Sequence, residues 1–96
     1  MTYSLEFKQS ALKEWNKLGA TVKQQFKKKL SERLGNPHIS ASKLSGSDNI
    51  YKIKLRQSGY RLVYQVKDDV VIVIVLAVGK RERNEVYKKA TKRLND

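Results

Sequence analysis

Hydrophobic positions change period along the chain, and each change marks an element. Tyr3, Leu5 and Phe7 alternate in "TYSLEF", the period of a short half-buried strand. In "SALKEWNKLG" the apolar positions Leu12, Trp15 and Leu18 move to helical spacing, with Ser10 as the expected cap and Gly19 as the stop. "TVKQQFKKKLSERLGNP" places Val22, Phe26, Leu30 and Leu34 four apart; Thr21 is its expected cap, and Gly35 with Pro37 ends it. Two amphipathic helices joined at Gly19 predict a helical hairpin lying across a sheet.

Residues 36–49 are rich in Ser, Asn, Gly and Asp and read as a long surface loop. The segment "YKIKLRQSGYRLVYQV" follows, two alternating strands around Ser58 and Gly59. With those residues as a two-residue turn, Gln57 pairs with Tyr60, Arg56 with Arg61 and Lys54 with Val63. Directly paired residues share a face, so Tyr51, Ile53, Leu55, Leu62, Tyr64 and Val66 line the core. Lys52, Lys54, Arg56, Arg61 and Gln65 line the other face, and a one-residue slip would mix the two sets and bury charge. The run "VVIVIVLAVG", residues 70–79, is apolar on both faces and β-branched, the signature of an interior strand covered on both sides. Residues 80–96 form a basic, largely helical tail. The expectation is an α/β (α+β) domain spanning residues 1–96: a small, mainly antiparallel sheet, an N-terminal helical hairpin packed on it, and a C-terminal helix.

Charge changes the picture more than composition does. Hydrophobic residues make up 40% of the chain, enough for a modest core, but Lys and Arg total 21 against 9 acidic residues, a net charge of +12. A small folded domain this basic implies a polyanionic partner. Nucleic acid is the first candidate, an anionic membrane surface the second and an acidic protein the third. There is no cysteine, hence no disulfide framework and no thiol chemistry. No apolar run reaches the length of a membrane span, and "MTYSLEFKQS" lacks the features of a signal peptide, so a cytosolic protein is expected.

The usual catalytic groupings are missing. The one histidine, His38, sits in "GNPHIS" and reads as a loop residue; no carboxylate cluster has metal-ligand spacing. What remains is Lys52, Lys54, Arg61, the pair Lys80 and Arg81, and Tyr87. Clustered cations bind phosphate and can also offset the extra negative charge of a pentavalent phosphorane. An isolated lysine, with a pKa of about 10.4, is a poor base, but crowding by like charges disfavours its charged form. A phosphate-binding face is the commoner meaning of such a pattern, a catalytic face the rarer. Trp15 reads as core. Lys27, Lys28 and Lys29 suit either a solvated face or a nucleic-acid contact, and Tyr87 is a candidate platform for stacking a base.

"YKIKLRQSGYRLVYQV" and "VGKRERNEVYKKATKRL", with "ALKEWNKLG" and "KKKL", resemble the RelE toxins of bacterial toxin–antitoxin pairs over essentially the whole chain. That resemblance implies a RelE/ParE-like fold and messenger-RNA cleavage in the ribosomal A site. The RNA's own 2′-hydroxyl attacks the adjacent phosphate, leaving a 2′,3′-cyclic phosphate and a new 5′-hydroxyl. By motif position, Lys52 is similar to the family's general base; Lys54 and Arg61 would stabilise the phosphorane. Arg81 would protonate the leaving oxygen, although so high a pKa makes electrostatic stabilisation its larger contribution, and Tyr87 would orient a base. Arg56, Lys80, Arg83, Lys43, Lys27 and Lys28 complete the expected RNA contacts. Where the family pattern carries an arginine in the "KLSG" loop, this chain has Ser45, leaving Lys43 as the nearby cation. No metal or cofactor is implied. The implied partners are the ribosome with its 16S ribosomal RNA, mRNA, and an acidic, partly disordered RelB-like antitoxin. Operator DNA would be bound only together with that antitoxin, and no membrane is involved. Related toxins instead poison DNA gyrase, and a plain nucleic-acid-binding module is a third reading. The combination of Lys52, Lys54, Arg61, Arg81 and Tyr87 argues against both.

Overall fold

The computed structural model describes residues 2–44, 46–47, 49–80, 82 and 85–94. Its elements run β1 (Ser4–Phe7), α1 (Gln9–Asn16), α2 (Ala20–Gly35), a single 3-10 turn (Ser40–Ser42), β2 (Ile50–Leu55), β3 (Tyr60–Lys67), β4 (Ile72–Lys80) and α3 (Glu85–Arg93). One four-stranded sheet has the order β1-β4-β3-β2. β2, β3 and β4 are antiparallel neighbours, while β1 runs parallel to β4, with Leu5 beside Val73 and Phe7 beside Val75. The mainly antiparallel α+β expectation holds.

α1 and α2 cover one sheet face. Tyr51, Ile53, Leu55, Leu62, Tyr64 and Val66 all enter this core, as parity predicts, together with Val73, Val75 and Val78 of β4. Each large side chain fully buried there contributes about 1.5–3 kcal/mol. Phe26 and Leu30 are the buried positions of the four-apart series in α2, with Val22 and Leu34 packed partly against them. Trp15 is a core residue as expected, its ring centroid 5.3 Å from that of Phe7 and 6.3 Å from that of Phe26.

Several helix-level expectations need correction. Leu12 is 42% exposed; Ala11 takes its place beside Trp15 on the buried stripe. Ser10 lies inside α1, and Lys8 holds the N-cap position, with no side-chain cap bond to the helix. The reason is the strand: Lys8 N still donates to Val75 O, at 3.0 Å, so the helix begins directly after that last sheet contact. Thr21 likewise falls inside α2, and Gly19 is the N-cap of α2 rather than the stop of α1, whose C-cap is Lys17.

The hairpin register also differs from the expected one. Leu55 pairs with Tyr60 and Lys54 with Arg61, around a four-residue turn, residues 56–59. Gly59 ends that turn at φ +76, and its N–H donates to Leu55 O at 2.9 Å. An apolar pair, Leu55 with Tyr60, thus closes the hairpin where a two-residue turn would have set Arg56 against Arg61. The change is a slip of two, so every side chain keeps its face.

On the second face lies a smaller core. Ile50, Val63, Leu76 and Ala77 are covered by Val86 and Ala90 of α3. A bulge between Val63 and Tyr64 makes this possible: Val63 pairs with Ala77 and Tyr64 with Val75, leaving Leu76 extra. The parity of β4 flips there, so Leu76 and Ala77 both reach the second core while Val75 and Val78 serve the first. β4 is thereby covered on both sides, as its apolar run predicts. It begins later than expected, because Val70 is 52% exposed and Val71, at φ 57, belongs to the preceding turn.

Candidate nucleic-acid interface

The part of the second face left uncovered by α3 carries the cations. Lys52 lies opposite Val63 at the border of the small core; Lys54 lies opposite Arg61, two pairs along toward the turn. Arg61 in turn pairs with Gly79 of β4. Arg61 is only 7% exposed, its Nη1 donating to Tyr60 O at 3.1 Å. Among the described residues no carboxylate forms an ion pair with Lys52 or Arg61. A guanidinium held this way projects its charge through a low-dielectric surround, where an arriving phosphate feels it more strongly than at an open surface.

Tyr87 of α3 stands over this face, half-buried, with Lys52 Nζ 5.9 Å from its ring centroid. Lys80, the last residue of β4, pairs with Tyr60 and lies 5.6 Å from that ring. Lys52, Lys54, Arg61 and Tyr87 therefore share one end of one face, across two strands and a helix, whereas Lys80, paired with Tyr60, belongs to the other face at the same end of the sheet. Arg81, Arg83 and Ser45 lie outside the described residues.

Arg56 is exposed in the turn and opens toward α2. Two grooves run along this side. One of about 350 Å³ is lined by Lys29, Arg33, Ala41, Ser42, Lys52, Lys54 and Arg56. Its neighbour, about 490 Å³, takes in Lys28, Lys29, Lys54 and Arg56. Lys28 therefore adjoins the hairpin cations as expected. Lys27 does not; it opens onto an apolar groove with Leu5, Phe7, Trp15 and Leu34 on the other side of α2. Lys43 is bridged to Tyr51 at the edge of β2.

Sequence reasoning missed Arg33 as a member of this surface and left Lys29 open between a solvated face and a nucleic-acid contact. Their spacing of four on α2, facing the basic hairpin, was the available signal. Arg33 is also structural: Nη1 donates to Tyr64 Oη at 2.9 Å and to Lys52 O at 3.5 Å, and Nη2 to Ser42 Oγ at 3.2 Å. Tyr64 Oη donates to Pro37 O at 2.8 Å, and burial pushes that hydroxyl's pKa up while Arg33 opposes the rise. His38 is a loop residue, as expected, with partners the sequence did not reveal. Its Nδ1 lies 2.8 Å from Tyr51 Oη, and its Nε2 lies 2.9 Å from Asp68 Oδ1. Tyr3 Oη also donates to Asp68, and the bond from Tyr3 followed by that from His38 holds the Asp68 carboxyl below its ordinary range. Among the described residues no group of three or more His, Asp or Glu side chains could hold a metal ion, and no helix is long and apolar enough to cross a membrane.

A helical hairpin on one sheet face and an opposite face that carries Lys52, Lys54 and Arg61 beside Tyr87 define a small basic α+β domain. Comparison with known proteins gives that class its family. The ParE toxins of type II toxin–antitoxin systems, parDE, match over residues 5–85. The mRNA interferase toxin RelE of Escherichia coli strain K12 is 62% identical over 94 residues, covering 98% of this chain and 99% of that protein. A doubly substituted E. coli toxin RelE in the free state superposes with a TM-score of 0.91 at 60% identity, covering 98% of this chain and 99% of that one. The same toxin in complex with an antitoxin RelB peptide gives a TM-score of 0.82 at 60% identity over 94% of this chain and 95% of that one. The chain belongs to the ParE/RelE family of type II toxins and is similar to its RelE members.

Proposed function

We infer that this chain is the toxin of a type II toxin–antitoxin pair and an mRNA interferase that cuts messenger RNA in the ribosomal A site, in the cytoplasm. The observation that carries the reading is the Lys54–Arg61 pair with Lys52 and Tyr87 beside it, matched to a relative named as an mRNA interferase at 62% identity. The RNA's 2′-hydroxyl attacks the adjacent phosphorus and gives its proton to Lys52. Lys54 and Arg61 offset the added charge of the phosphorane. The P–O5′ bond then breaks, and the leaving 5′-oxygen takes its proton from Arg81, or from water while Arg81 offsets its negative charge. Tyr87 stacks on a flanking base, a contact worth about 1–3 kcal/mol. Nothing in this sequence of steps needs a metal ion. A face with no conventional acid–base pair depends on being given RNA in an in-line geometry, which is what a ribosome holding mRNA supplies.

The net charge of +12 supports two further partners: 16S ribosomal RNA along the Lys28–Arg56 side, and an acidic RelB-like antitoxin, through which alone operator DNA would be reached. The test is to incubate the protein with mRNA-programmed ribosomes and map both RNA ends. A cut in the A-site codon with a 2′,3′-cyclic phosphate and a 5′-hydroxyl is expected. No cut, together with inhibition of DNA gyrase, would assign the chain to the gyrase-poisoning side of its family.

A further inference from the structure

Tyr87 depends for its place on a helix of nine residues, and that helix is fastened far from Tyr87 itself. Arg93, at the other end of α3, donates through Nη1 to Glu14 Oε1 at 2.8 Å and through Nη2 to Glu14 Oε2 at 3.2 Å. Its Nη1 also donates to Leu76 O at 2.9 Å. Lys89 Nζ adds a contact to Glu14 Oε2 at 3.4 Å, and Val78 N donates to Glu14 Oε1 at 3.1 Å. The side chains of Glu14 and Arg93 are only 19% and 15% exposed.

The topology explains why a carboxylate belongs there. β1 pairs with β4 only through Val75, so the next backbone groups along that edge have no strand beside them. Glu14 and Arg93 take the strand's place, one accepting from Val78 N and the other donating to Leu76 O. A single carboxylate on α1 thus joins the sheet edge to the last turn of α3. The fork-to-fork geometry fixes direction as well as distance. Glu14 also sits near the C-terminal end of α1, where a negative charge is disfavoured by the helix dipole, so helix stability alone does not account for it.

We propose that Glu14 is a positioning residue for RNA cleavage: by clamping Arg93 it sets how α3 lies on the sheet, and so holds the Tyr87 ring over Lys52. Glu14 touches neither RNA nor the cation face; it acts through α3. This assignment rests on the mRNA-interferase reading for its catalytic consequence, but its structural half stands separately.

The experiment is a double-mutant cycle on programmed ribosomes under single-turnover conditions, using the wild type, Glu14→Gln, Tyr87→Ala and the double variant. Glu14→Gln keeps an acceptor for Val78 N while removing the charge that holds Arg93. It is expected to slow cleavage about tenfold, a modest misplacement effect, and to act on the maximal rate rather than on half-saturation. In the Tyr87→Ala background the same change is expected to cost less than about twofold, because the group it positions is gone. Equal losses in both backgrounds, or no loss, would overturn the proposal. Arg93→Gln removes the clamp from the other side and is expected to give the same pattern, which keeps the test decisive if Glu14→Gln folds poorly. Hydrogen exchange of the α3 amides is read in parallel and should speed up in both variants while that of β3 does not. If the wild type cuts no RNA, the functional reading falls. The clamp is then judged on exchange alone, and unchanged α3 exchange would refute it.

Discussion

Lys54 and Arg61 face each other directly across β2 and β3. Val66 N donates to Asn49 O one step outside the paired strands, so by alternation the Lys54–Arg61 pair is of the close, non-hydrogen-bonded kind. Like charges set opposite in that way cost about 0.2–1 kcal/mol. The cost has a use if a phosphorane forms between them. Lys54→Ala is therefore expected to act on activity: single-turnover mRNA cleavage should fall about 10²-fold, the scale for removing one group that stabilises transition-state charge. A variant that keeps its rate would remove Lys54 from the chemistry.

Tyr87 offers its ring to the face, with Lys52 Nζ 5.9 Å from the centroid. If stacking is the contribution, Tyr87→Phe should cleave within about threefold of wild type. Tyr87→Ala should lose about 1–3 kcal/mol of transition-state binding, roughly five- to 150-fold. A Phe variant as damaged as the Ala variant would shift the role to the hydroxyl.

Much of this surface was legible in the sequence because β parity survives errors of register. Lys54 was expected opposite Val63 and is found opposite Arg61, yet a slip of two leaves Lys52, Lys54 and Arg61 on the expected face. What parity could not show was which part of that face stays open. Val63 and Ile50 share it and are buried under α3, an outcome that depends on the bulge at Val63 and Tyr64 and on where the tail docks. Helix spacing identified Trp15 and Phe26 correctly but admitted both Leu12 and Ala11, and only packing chose Ala11. Capping failed at Ser10 and Thr21 because the chain leaves β1 and α1 on main-chain bonds, with no side-chain cap at Lys8 or Gly19. The contacts of His38, Arg33 and Glu14 join residues distant in sequence, and no local pattern encodes them.

At Gly79, α3 packs closely against β4. A Cβ there would lie 3.2 Å from Val86 Cγ2, tighter than ordinary van der Waals contact. Gly79→Ala is expected to push α3 outward, costing about 1–3 kcal/mol as an overpacked site and slowing cleavage with it. Adding Val86→Ala removes the opposing methyl groups. The double variant should recover cleavage relative to Gly79→Ala alone, although Val86→Ala by itself leaves a small cavity. Absence of recovery would mean that Gly79 matters for the chain near Arg61 rather than for α3.

Glu14 gives α3 docking a defined acid limit. Burial alone would raise its carboxyl pKa, but the bonds from Arg93, the Val78 N–H and Lys89 outweigh burial and hold it below the ordinary 4.5. A carboxylate depressed in the folded state adds stability that is fully present above its unfolded value, and loses it as pH falls through the folded one. Wild type should therefore lose stability more steeply than Glu14→Gln as pH drops below about 4.5, and the two urea-denaturation curves should converge there. At neutral pH the wild type should be the more stable. Parallel pH profiles would show that the carboxylate contributes nothing through its charge.

Arg33 makes a case against treating every cation of the basic groove as interchangeable. One guanidinium reaches Tyr64 Oη, Ser42 Oγ and Lys52 O, tying α2 to β3, to the 3-10 turn and to the strand that carries Lys52 and Lys54. A lysine ammonium on a single flexible stem cannot span that fan of acceptors. Arg33→Lys should therefore resemble Arg33→Met in stability, both losing about 1.5–3 kcal/mol in urea melts, the range for hydrogen bonds to a charged group. The two should part at Tyr64. Burial raises that hydroxyl's pKa and the positive charge of Arg33 opposes the rise, so the Met variant should titrate higher than wild type. The Lys variant should fall between them. Ultraviolet titration of the tyrosinate band reads the order directly. If Arg33→Lys kept full stability, charge alone would be what the groove requires at that position, and the fork would be incidental.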